Sequence, residues 1–101
     1  MSEETIQIGR WNIPKNLLFE YVKFRVLADD YVMLKPDPSR IVPMSDRERS
    51  MRWQMCVQRL MEIHRKICKT INVPYSEEPD DEFYKAFVAD TDRRIRRLRN
   101  K

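Results

Sequence analysis

The chain has 101 residues, 42% of them hydrophobic and 10% aromatic, with a formal net charge of +4. That is apolar material for one core and too much for a disordered chain; with Gly9 as its single glycine the chain cannot build a phosphate-cradling loop or a hairpin-rich all-β fold. No apolar run reaches the roughly 18 residues of a membrane span, and the acidic start lacks the basic and apolar regions of a secretory signal, so the expected compartment is the cytoplasm.

Residues 1–13 read as a short N-terminal extended arm, in which Ile6 and Ile8 alternate before Gly9 and Trp11. Residues 14–101 read as a single all-α domain, a compact three-helix array. A first helix is predicted over 14–35. It opens at Pro14, suited to a first helical turn, and carries Leu17, Tyr21, Phe24, Ala28 and Tyr31 at three- and four-residue steps. Leu18, Phe19, Val22, Val26, Leu27, Val32, Met33 and Leu34 widen its apolar surface beyond one stripe, which two other helices cannot fully cover; a homo-oligomer, a dimer, is expected from this. Pro36 and Pro38 end the helix, and the following loop is expected to return Ile41 and Val42 to the core.

The second helix is predicted over 46–71. Ser45 and Glu48 form an S-x-x-E capping box at its start, and Asn72 turns the chain before Pro74 at its end. Its stripe is Trp53, Cys56, Val57, Leu60, Ile63, Ile67 and Ile71. The third helix, over 80–99, begins with Asp80, Asp81 and Glu82 and ends in arginines, matching the helix dipole at both ends. Its stripe is Phe83, Tyr84, Phe87, Val88, Thr91, Ile95 and Leu98. The expected core is Leu17, Tyr21, Phe24, Trp53, Val57, Leu60, Ile67, Phe83, Phe87 and Val88.

Few residues offer chemistry. His64 is the only histidine and stands four residues before Cys68, a spacing at which two side chains share a helical face, but two ligands do not make a metal site. Cys56 and Cys68, twelve residues apart on one helix and thus about 18 Å distant, cannot pair, and read as buried or semi-buried free thiols. A nucleophile, base and oxyanion donor cannot be assembled, and the acids at the start of the third helix are accounted for by its dipole. No catalysis, metal or cofactor is expected.

Charge is segregated. Arg93, Arg94, Arg96, Arg97, Arg99 and Lys101 follow one another with no acid between them, so the rest of the chain carries two more acids than bases. From Arg40 to Lys69 bases again exceed acids; Arg52, Arg59 and Lys66 on the second helix, with Arg47, Arg49, Arg65 and Lys69, could extend a phosphate-binding footprint begun by the tail. A competing reading has Arg94 and Arg96 paired with Asp90 and Asp92 four residues earlier, on a solvated face. Met51, Met55 and Met61, with Met44 and Trp53, give the second helix an adaptable surface suited to a protein partner.

The helix LLFEYVKFRVLADDY, a proline-bearing linker, a second helix and the INVPYS exit are similar in layout to phage terminase small subunits, helical DNA-binding oligomers that help load a genome for packaging. The resemblance spans residues 14–76 and lies in helix lengths and apolar spacing; Asn72 stands where that family usually has an exit-turn glycine, and no binding residue transfers. The expected function is that of a nucleic-acid-binding accessory protein, for DNA or RNA, using the arginine-rich helix. The alternative is a small inhibitor or adaptor of a larger protein.

Overall fold

The computed structural model describes residues 4–33 and 45–100. Three helices follow a two-stranded antiparallel hairpin: β1 (Thr5–Ile8), β2 (Trp11–Pro14), α1 (Lys15–Val32), α2 (Asp46–Ile71) and α3 (Glu82–Arg99). The three-helix array is as the sequence predicts. The arm is more structured than expected, because Gly9 and Arg10 make a two-residue turn that folds it on itself. Gly9 stands at the first central position with φ 59°, as in the type II′ turns that match strand twist.

Pairing Ile6 with Ile13 and Ile8 with Trp11 puts these four side chains on one face of the hairpin. That face enters the core. Ile8 and Ile13 are buried, and the Trp11 ring meets Phe83 edge-on with centroids 5.2 Å apart. Burying each isoleucine stabilises the fold by roughly 1.5–3 kcal/mol. Pro14 is the last residue of β2 and the cap position of α1, not part of the helix. The backbone amide of Lys15 donates to the Glu4 carbonyl, so the hairpin satisfies an amide that a helix start leaves open.

The helix ends in α2 follow the sequence closely. The Ser45 hydroxyl accepts from the Glu48 amide at 3.1 Å, and Asn72, left-handed at φ 60°, donates its amide back to the Cys68 and Lys69 carbonyls. At the start of α3, Asp81 is the cap, its carboxylate accepting from the Tyr84 amide.

The direction of packing is given by contacts along α1. Glu20 meets Arg59 and Tyr31 meets Arg52, so α2 runs opposite to α1; Tyr21 meets Phe87 edge-on, Arg25 pairs with Asp92 and Asp30 with Arg99, so α3 runs in the same sense as α1. One end of the array therefore collects the hairpin, the close of α2 and the start of α3, and is sealed. The other collects the close of α1, the start of α2 and the arginine-rich end of α3.

Of the expected core, Tyr21, Ile67, Phe83 and Phe87 are buried; Leu17, Phe24 and Leu60 are partly buried against the core, and Val57 and Val88 are half-buried. Trp53 is not core: it is 39% exposed. Its register matches the buried stripe, but the first buried residue of α2 is Cys56, one turn further on. Leu18, Val22, Ile63, His64, Cys68, Thr91 and Ile95 fill the interior with the hairpin. Ile41 and Val42, expected in the core, lie outside the described residues, as does the predicted end of the first helix beyond Met33.

Candidate docking surface

At the unsealed end the exposed large apolar side chains are Val32 and Met33 of the α1 terminus, Met51, Trp53 and Met55 of α2, and Leu98 of α3. Phe19 and Leu27 are exposed farther back on α1. Exposed large apolar side chains at three helix termini, among charges, mark this end for a macromolecular contact; on α2, Met51 and Met55 share one face and Trp53 lies on the other, in phase with the buried stripe.

The arginines stand around this apolar surface, and most are already engaged. Arg94 donates to Asp90 at 2.7 Å and Arg93 reaches the same carboxylate at 3.4 Å. Arg99 ties α3 to α1 through Asp30 at 3.1 Å. Asp92 pairs with Arg25 of α1 at 3.2 Å, not with Arg96. On α2, Arg52 pairs with Glu48 and reaches the Tyr31 hydroxyl, Arg49 pairs with Asp46, and Arg59 bridges Glu20 of α1 at 2.6 Å and Glu62 at 3.0 Å while lying over the Phe24 ring. Among the described residues Arg96 and Arg97 of this basic end make no ion pair. Lys66 is exposed toward the sealed half of α2, away from the others, and Lys101 lies outside the described residues.

The structure thus brings Arg52, Arg93, Arg94, Arg96, Arg97 and Arg99 to one end, converts Arg59 and Arg99 into ties between helices, and leaves Lys66 apart. Met51 and Met55 are exposed there and Met61 is half-buried. Phe19 and Leu98 are the contributors that sequence reasoning missed as a pair: Leu98 was assigned to the stripe of the third helix and Phe19 to the wider apolar surface of the first, and only the packed helices bring them to one cleft. Between these helices lies a cleft of about 410 Å³, lined by Phe19, Val22, Lys23, Arg94, Arg97 and Leu98.

His64 occupies the sealed half. It is buried among Tyr75, Tyr84, Phe83 and Phe87, with centroids 4.7–6.2 Å away, and its Nε2 has no hydrogen-bond partner. Burial holds its pKa below the ordinary 6.5, with the Glu77 and Asp81 carboxylates opposing. Burial pushes the Cys68 thiol up to about 11, assisted by Asp81, and raises that of Cys56. A thiol so shifted is protonated at neutral pH and a poor nucleophile. Among the described residues no three His, Cys, Asp or Glu side chains gather as metal ligands would, and no helix is long and apolar enough to cross a membrane.

No protein family, curated protein or solved structure matches the chain. The resemblance to terminase small subunits gains no support from any of them.

Proposed function

We propose that the protein is a non-catalytic protein-binding module, an inhibitor or adaptor, which docks its partner on the unsealed end. The observation carrying this reading is the company its arginines keep. Val32, Met33, Met51, Trp53, Met55 and Leu98 are exposed among them, and a phosphate backbone has no use for that apolar area, whereas protein interfaces combine buried aromatic, methionine and arginine side chains. Self-pairing of this end would set its arginines against their own copies, which favours a different protein over a homodimer there.

One observation favours the nucleic-acid reading, an accessory role of the kind the terminase resemblance implies. The first part of the second-helix basic run and the end of the third helix meet at the same end, and among the described residues Arg96 and Arg97 make no ion pair. The other arginines there would have to exchange a carboxylate for each phosphate, giving up pairs worth about 0–1 kcal/mol apiece.

Affinity capture from the native host with the wild-type chain and with Trp53→Ser/Met55→Ser separates the two. The expected result is a stoichiometric protein partner held by the wild type and lost by the variant, whose circular dichroism is unchanged. Absence of any such partner, together with DNA or RNA binding that falls steeply with salt and disappears on truncation after Asp92, would overturn the proposal.

A further inference from the structure

We infer that the cleft between α1 and α3 receives an acidic amphipathic helix of the partner protein, an inference that rests on the protein-binding reading and names the chemistry of the partner. The floor of the cleft is apolar: Phe19 is 47% exposed, Leu98 52% exposed, and Val22 lies beneath. Its rim is cationic. Arg94 is held by Asp90 and contributes chiefly its stem, but Lys23 and Arg97 have no carboxylate partner among the described residues. The neighbouring acids are already taken, since Asp30 holds Arg99, Asp90 holds Arg93 and Arg94, and Asp92 holds Arg25. An occupant that both covers the floor and satisfies the rim must bring an apolar stripe with carboxylates beside it.

A helix with leucines at three- and four-residue spacing and glutamates flanking them has that form, and helix-in-groove docking uses such anchors. The volume, about 410 Å³, falls within the range of pockets that hold discrete groups, room for a few anchoring side chains rather than a whole helix. The cleft is continuous with the unsealed end through Arg97 and Leu98. The acidic loop of a second copy, Glu77 to Glu82, is the rival within the chain itself. It offers charge but no exposed apolar stripe, and a head-to-tail contact of that kind would propagate rather than close.

The test is fluorescence anisotropy with a labelled helical peptide of about four turns, leucines along one face and glutamates beside them, against a scrambled peptide and one with lysines replacing the glutamates. The full chain is expected to prefer the glutamate peptide. Lys23→Glu/Arg97→Glu, at exposed positions, is expected to weaken it about tenfold or more, and to accept the lysine peptide instead. Phe19→Ser/Leu98→Ser is expected to weaken both peptides. Equal binding of the scrambled peptide, or binding untouched by the cleft variants, overturns the cleft. If Trp53→Ser/Met55→Ser still abolishes capture of a host partner in that case, the protein-binding reading survives and only the cleft assignment is lost. Binding of monomeric laurate with no peptide binding would give the cleft to an anionic amphiphile. A doubled mass by light scattering that Lys23→Glu/Arg97→Glu removes would give it to a second copy. Either result overturns the proposal.

Discussion

At the end formed by the hairpin, the close of α2 and the start of α3, aromatic and aliphatic side chains meet from four elements: Ile8 and Ile13, Tyr21, Ile63 and Ile67, Phe83 and Phe87 are all buried. At the opposite end three helix termini carry similar side chains, Val32, Met33, Met51, Trp53, Met55 and Leu98, and leave them in solvent. Residue type does not distinguish the two ends. What differs is the presence of a fourth element: β1 and β2 plug the sealed end, and no described segment plugs the other. Stability should therefore be concentrated at one end and binding capacity at the other, the division expected when a rigid scaffold presents a reactive surface.

The largest test of that division is a pair of truncations. Phe87→Ala removes a fully buried ring that stacks on Phe83 and His64 and meets Tyr21 edge-on, and should cost about 3–5 kcal/mol in urea unfolding. Met55→Ala, at a position 67% exposed, should change stability by no more than about 0.5 kcal/mol. Comparable losses at the two sites would show that the unsealed end is part of the stable core.

A smaller effect isolates the plug. Gly9→Ala puts a methyl group 3.2 and 3.3 Å from the Trp11 ring carbons and forces a left-handed φ on an L residue, a cost of roughly 1–2 kcal/mol. Hydrogen exchange should speed up in the hairpin and at the start of α3 before it changes at the start of α2. An effect spread evenly over the three helices would mean that the hairpin is not what divides the ends.

The smallest effect is one of pH. His64 has its folded pKa depressed by burial, so the unfolded chain takes up the proton first. The contribution of neutral His64 is complete above 6.5 and is lost as the pH falls from there through its folded value. His64→Phe should remove part of the difference between urea midpoints at about pH 7.5 and about pH 5. An unchanged difference would place the acid sensitivity elsewhere.

The three helices were legible because their signals are local: the Ser45 cap, Asn72 at the exit of α2, acids before α3 and arginines within it. The hairpin left a trace in Ile6 and Ile8 on one side of Gly9 and Trp11 and Ile13 on the other, which two-residue turn chemistry at Gly9 and Arg10 would have decoded. Trp53 misled because periodicity reports which face a residue occupies and not how closely the neighbouring helices pack on it there. The arginine run was visible, and Arg94 with Asp90 followed the helical spacing. The bonds of Arg59 to Glu20 and Arg99 to Asp30 span 39 and 69 residues, and no local pattern encodes them. The Phe19 and Leu98 cleft was hidden for the same reason, since its lining comes from two helices far apart in the chain.

The plug also has a place in time. Its strands leave the ribosome before the three helices, yet they close on the third of them: Trp11 packs on Phe83, and Arg10 pairs with Glu82 across 72 residues. Until α3 is synthesised, Ile8, Trp11 and Ile13 lack part of their covering surface, and contacts of such separation are slow to form. A nascent chain that stops short of α3 would thus display the apolar face of the hairpin, and the arrival of α3 is the event that covers it.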